Sequence, residues 1–95
     1  MNTNTITKYY IGRNTKDMET QTVTIDDLEN KAHELFEGFT LHTTIGGWKG
    51  STEDSAILEV IGLEESEAMK IKEELEDHFN QESVMTVRQT AEVAF

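Results

Sequence analysis

Apolar residues recur along this chain in two alternating periods. Residues 5–13, TITKYYIGR, are rich in β-branched and aromatic types and predict a first strand. Ile6, Tyr9, Tyr10 and Ile11 fit either parity, so the pattern leaves open which side of that strand turns inward. Residues 14–22, NTKDMETQT, are polar and irregular and predict a loop. Thr24 then begins a helix start signal. Asp27 stands three residues on, as in a capping box with Asp in place of the usual Glu. Leu28, Ala32, Leu35 and Phe36 follow at helical spacing, and Gly38 is placed to stop the helix.

From Phe39 the period changes to two. Phe39, Leu41, Thr43 and Ile45 share one side of a second strand, and Thr40, His42 and Thr44 the other. Gly46-Gly47 interrupts the alternation and predicts a bulge or a sharp bend. Residues 49–54, KGSTED, are turn chemistry. Ser55 to Ile61 is apolar on both parities apart from Glu59, as expected of a central strand. Gly62 ends it. Glu64 to Phe79 predicts a second helix with Ala68, Ile71, Leu75 and Phe79 in one stripe and Lys72 at its edge. Asn80 and Gln81 form its exit. The last strand covers Ser83 to about Val93, with Met85, Val87, Ala91 and Val93 on one side and Thr86, Arg88 and Thr90 on the other.

The order is therefore β-α-β-β-α-β. Two helices with one apolar stripe each must cover one face of a four-stranded sheet. Right-handed crossovers then give an antiparallel sheet in the order 4-1-3-2, the α+β ferredoxin-like two-layer sandwich. Residues 1–95 form one such domain, with no repeat, linker or low-complexity segment. The opposite sheet face is left bare or covered by a partner.

Four short blocks carry a resemblance. They are Tyr9-Tyr10-Ile11-Gly12-Arg13-Asn14, Gly38-Phe39-Thr40, Gly47-Trp48-Lys49-Gly50, and Glu53 to Val60. In this order they resemble small uncharacterised ferredoxin-like proteins of bacteria and their phages. In those a Tyr/Phe-Gly strand precedes a helix, and a hairpin of the type GxT…GxW leads to an acidic residue and an apolar strand. The resemblance implies the same fold and supplies no reaction. A phage source would favour a host-directed inhibitor by analogy.

Composition narrows the chemistry. The chain has no cysteine, which removes disulfides, thiolate catalysis and cysteine metal sites together, and fits a reducing, cytoplasmic setting. MNTNTITKYY lacks the basic and apolar regions of a signal peptide. The net charge is −11, which disfavours direct binding to nucleic acid or anionic lipid and favours basic surfaces. Residues 26–37 hold five acids and one lysine, and residues 64–77 hold seven acids and two lysines, so −9 of the −11 lies on the two helices. The expectation is an acidic helical layer and a nearly neutral sheet.

His33, His42 and His78 have no metal-ligand spacing, and no metal or cofactor is expected. His33 and His78 read as surface residues beside carboxylates. Strand parity puts His42 away from the helices, where Glu59, Arg88 and Lys8 or Tyr10 are expected with it. These are either ordinary polar positions or a small-ligand site with His42 and Glu59 as an acid–base pair. Gly46-Gly47-Trp48-Lys49-Gly50 lacks phosphate-loop spacing, and Trp48 is a core-edge residue or an interface anchor.

Two functional expectations follow. The main one is a non-enzymatic acidic interaction module. It would dock Asp26, Glu29, Glu67, Glu73, Glu74 and Asp77 on a basic protein surface, in its sharpest form as an inhibitor of a host nucleic-acid-handling or defence protein. The alternative is a small-ligand domain or small enzyme. Its site would lie on the open sheet face or in a dimer cleft, around Tyr10, His42, Trp48, Glu59 and Arg88. A homodimer that buries the sheet faces through Ile57, Ile61 and Trp48 is compatible with either.

Overall fold

The computed structural model describes residues 2–13 and 23–95; the loop expected over 14–22 lies outside the described residues. The element order is β1 (Asn2–Gly12), α1 (Ile25–Leu35), β2 (Thr40–Trp48), β3 (Ser51–Ile61), α2 (Glu65–His78) and β4 (Met85–Val93). The strands form one sheet in the order β2-β3-β1-β4, all neighbours antiparallel. This is the expected 4-1-3-2 order read from the other edge, and the fold is the ferredoxin-like α+β sandwich.

Register settles what the parity of β1 left open. Thr7, Tyr9 and Ile11 pair with Val60, Leu58 and Ala56, and all six are buried. They form one core with Leu28, Ala32 and Phe36 from α1 and its end, and with Leu75 and Phe79 from α2 and its end. Both helices thus lie on one face. Tyr9 takes the inward position because its ring fills the core while its hydroxyl donates to the Ala68 carbonyl of α2 at 2.8 Å.

The helix ends follow local chemistry. The Thr24 hydroxyl accepts from the Asp27 N–H at 3.1 Å. Glu64 N–H donates to Glu67 Oε1 at 3.3 Å, the side-chain half of a capping box at the start of α2. Asn80 stops α2 with a φ of 51°, a left-handed residue beyond the C-cap. Gly38 does not stop α1. The helix ends at Leu35, because Phe36 turns into the core with an extended backbone.

The hairpin also differs from expectation. Gly46 and Gly47 pair one to one with Glu53 and Thr52, so no bulge interrupts the ladder. The turn is only Lys49-Gly50, with φ of 48° and 80°. A two-residue turn with both φ positive matches the twist of the flanking strands. It therefore keeps residues 51–54 in register, and β3 begins at Ser51 rather than Ser55.

Candidate ligand groove and the open sheet face

Register arranges the uncovered face in rows. One row runs His42, Ile57, Tyr10, Met85 from β2 to β4. The next runs Thr40, Glu59, Lys8, Val87, and a third Ile61, Ile6, Gln89. His42 and Glu59 are diagonal neighbours, with Nε2 and Oε1 3.7 Å apart. That separation suits an ion pair with a protonated imidazole and is long for a hydrogen bond. Tyr10 shares the row of His42, two strands away. Trp48 ends β2 opposite Ser51, and its side chain lies outside what is described.

Arg88 is not on this face. It pairs with Thr7, whose side chain is buried beneath the helices, so Arg88 points the same way. Its Nη2 donates to the Leu63 carbonyl at 2.8 Å. The expected sides of β4 are therefore exchanged: Met85 and Val87 face outward, and Thr86 and Arg88 inward. The reason is tertiary. Tyr9 and Ile11 claim the inner side of β1, and pairing with β1 then dictates the parity of β4. The aliphatic stem of Arg88 can line the core edge while its guanidinium reaches a carbonyl. Burial pushes the Tyr9 hydroxyl up to about 12; the nearby Arg88 guanidinium lowers it and Glu67 raises it. Thr7 Oγ1 and Arg88 Nε are buried without a hydrogen-bond partner.

The sequence reading missed a concavity among the described residues. A groove of about 790 Å³ opens at the end of the sheet where β2 begins and β3 ends. Two glycine-marked junctions, Glu37-Gly38-Phe39 and Ile61-Gly62-Leu63, form its walls. The pairing of Thr40 with Glu59 brings the two junctions together, although they are far apart in the chain. Gly62 needs its glycine, since its φ is +93° and its N–H reaches the Thr5 carbonyl at 2.9 Å. Three carboxylates, Glu37, Glu59 and Glu67, line the groove beside the rings of Phe36, Phe39 and Phe95. His33 holds Phe39 from the side in an edge-to-face contact with centroids 4.9 Å apart. Glu59 belongs to both the groove and the open face, so the two candidate regions are continuous. The volume lies within the range of small-ligand sites, roughly 300–1,000 Å³.

The remaining acidic candidates lie elsewhere. Asp26, Glu29, Glu73, Glu74 and Asp77 are exposed on the helical layer. Glu74 is engaged within the fold: Lys31 Nζ donates to its carboxylate at 3.0 Å and lies 3.2 Å from Glu34, clamping α1 to α2. That hydrogen bond, above all, raises the Lys31 pKa. Glu67 is spent on the helix start and the groove. Among the described residues no group of three or more His, Asp or Glu side chains could hold a metal ion, and no helix is long and apolar enough to cross a membrane.

No protein-family model matches the chain, and no curated protein sequence matches it. Among solved structures it is similar to a phage SAM lyase in complex with S-methyl-5'-thioadenosine. The TM-score is 0.73 at 22% sequence identity, covering 90% of this chain and 80% of that one. This likeness establishes the fold. It also corrects the main functional expectation. The neighbour on this fold is an enzyme holding a small nucleoside, so the reading as a non-enzymatic acidic module, with an inhibitor as its sharpest form, gives way to the small-ligand alternative.

Proposed function

We propose that this chain is a small-ligand protein whose groove takes a cationic nucleoside of the S-adenosylmethionine type, and that it cleaves the sulfonium to release S-methyl-5'-thioadenosine. The observation that carries this reading is the groove itself. It sets three carboxylates against three phenylalanine rings on a fold shared with a lyase that holds that nucleoside. Aromatic faces suit a purine and the carbon side of a sulfonium. Carboxylates suit an ammonium group and ribose hydroxyls.

The bond that breaks joins the sulfonium sulfur to the γ-carbon of the amino-acid chain, and its electron pair goes to sulfur. The four-carbon fragment leaves either as a lactone, closed by its own carboxylate, or as an alkene after loss of a proton. Positive charge on sulfur disappears in either route. A carboxylate beside the sulfur would thus hold the substrate more strongly than the transition state. Glu37, Glu59 and Glu67 are accordingly assigned to binding, and the apolar wall to the sulfur, where a drier site favours neutralisation of charge. The lactone route asks no base of the protein. The alkene route needs one, and we assign it to the neutral imidazole of His42, which stands outside the groove lining, 3.7 Å from the groove carboxylate Glu59.

The test is incubation with S-adenosylmethionine, followed by chromatography for the thioether and calorimetry for binding. Release of S-methyl-5'-thioadenosine is the expected result. Glu59→Gln should raise KM about tenfold, a loss of roughly 1.4 kcal/mol, with little change in kcat. His42→Gln should leave kcat intact for the lactone route and abolish it for the alkene route. Absence of both binding and turnover would overturn the proposal.

A further inference from the structure

The three phenylalanine rings of the groove are not held alike. Phe36 is buried and belongs to the hydrophobic core. Phe39 packs against that core, and His33 meets it in the edge-to-face contact already described. Phe95 lines the same groove and yet is fully exposed, at 104%. The last strand pair of β4 is Val93 with Asn2, so Phe95 stands beyond the ladder with only Ala94 between. A single exposed apolar side chain is ordinary on a protein surface. Its place sets this one apart. β4 ends on the side of the sheet where β2 begins and β3 ends, which is where the groove opens.

We propose that Phe95 is the cover of the groove, and that its ring turns from solvent onto the outer face of the purine when an adenine nucleoside enters. This rests on the nucleoside reading of the groove given above. Two considerations carry it. A small ligand is normally enclosed over roughly 70–90% of its surface, and walls alone leave one side of a groove in water. A purine also has two flat faces. Phe36 and Phe39 are set in the wall and can serve one of them. The other asks for a ring that is not already packed, and Phe95 is such a ring. Stacking takes apolar surface of both rings out of water. The movement breaks no strand pairing, because neither Ala94 nor Phe95 takes part in the ladder.

Closure would also serve the reaction. A ring over the base helps to exclude water from the neighbouring sulfonium, and a drier site favours the step in which its charge disappears. Phe95 is therefore a binding residue whose loss is felt first in KM and then in kcat.

S-methyl-5'-thioadenosine is the probe, because it carries the base without the sulfonium charge. Titrated into the full chain with ring-labelled phenylalanine, it should move the Phe95 resonances upfield; their assignment comes from their loss in Phe95→Ala. By calorimetry Phe95→Ala should bind the probe about tenfold more weakly, and Phe95→Tyr, which keeps the flat face, within about twofold of wild type. Thermal melts of both variants should match wild type, since the side chain is exposed. Unmoved Phe95 resonances in a chain that binds the probe would overturn the cover while leaving the nucleoside reading intact. So would Phe95→Ala binding like wild type, or Phe95→Tyr binding as weakly as Phe95→Ala. A wild-type chain that binds neither the probe nor S-adenosylmethionine would overturn the nucleoside reading and the cover together.

Discussion

The same four strands present two faces that differ in how completely they are resolved. On the helical face Thr7, Tyr9, Ile11, Ala56, Leu58 and Val60 are buried, and the Tyr9 hydroxyl has its partner in the Ala68 carbonyl. On the other face the alternate residues of the same strands are half-buried or exposed, and titratable groups stand among the aliphatic ones. The comparison teaches that alternation assigns residues to faces without saying what each face is for. The inner face is committed to the fold. The outer face and the groove it runs into keep unspent apolar surface and carboxylates, which is what recognition needs.

Adjacent residues of β3 give the sharpest way to break this contrast. Leu58→Ala empties a fully buried site on a central strand and should cost about 2–5 kcal/mol by urea unfolding. Ile57→Ala, on the other face, should cost less than half as much under dilute conditions. A larger loss that grows with protein concentration would tie Ile57 to contact between copies. Equal costs for both substitutions in the dilute chain would break the comparison.

Alkaline pH probes the inner face next. Tyr9 keeps its proton in the folded chain to about pH 12, whereas an unfolded tyrosine loses it near 10. Its contribution is fully present below pH 10. Above that the unfolded state binds fewer protons, so stability falls by about 1.4 kcal/mol per pH unit until the folded group also titrates. Tyr9→Phe should flatten that slope relative to wild type between pH 10 and 12. An unchanged slope would show that the hydroxyl is less enclosed than its neighbours imply.

Arg88 and Lys8 repeat the test with cations on opposite faces. Arg88→Met removes the hydrogen bond to the Leu63 carbonyl at the groove wall and should cost roughly 1–3 kcal/mol. Lys8→Met should stay within about 0.5 kcal/mol in the dilute chain. The smallest effect belongs to the helical surface. Lys31→Met removes the clamp to Glu74 and Glu34 and should cost under about 1 kcal/mol, less at high salt. Thermal melts at two salt concentrations would read it.

Much of the architecture was legible because it rests on local chemistry. Thr24, Asn80 and Gly62 mark their boundaries by what single residues do to the backbone. The stripes Leu28–Ala32 and Ala68–Leu75 name the buried sides of the helices. Where expectation failed, the cause was non-local. Arg88 was placed outward since its own strand alternates plausibly either way, and only pairing with Thr7 and Tyr9 removes the ambiguity. The turn was drawn too long because residues 51–54 look like loop until a tight Lys49-Gly50 turn holds them in register.

The groove was missed for a related reason. Its walls come from two glycine-marked junctions, and only the pairing of Thr40 with Glu59 brings them together. By itself, then, the chain determined its element order, the cap at Thr24, the stop at Asn80 and the burden of charge on its helices, since each depends on neighbours within a few residues. The tertiary structure alone decided the parity of β1 and β4, the inward turn of Arg88 and the meeting of Glu37, Glu59 and Glu67 around one cavity. Those depend on which strand lies beside which, and register across a sheet is a property of the assembled core rather than of any one segment.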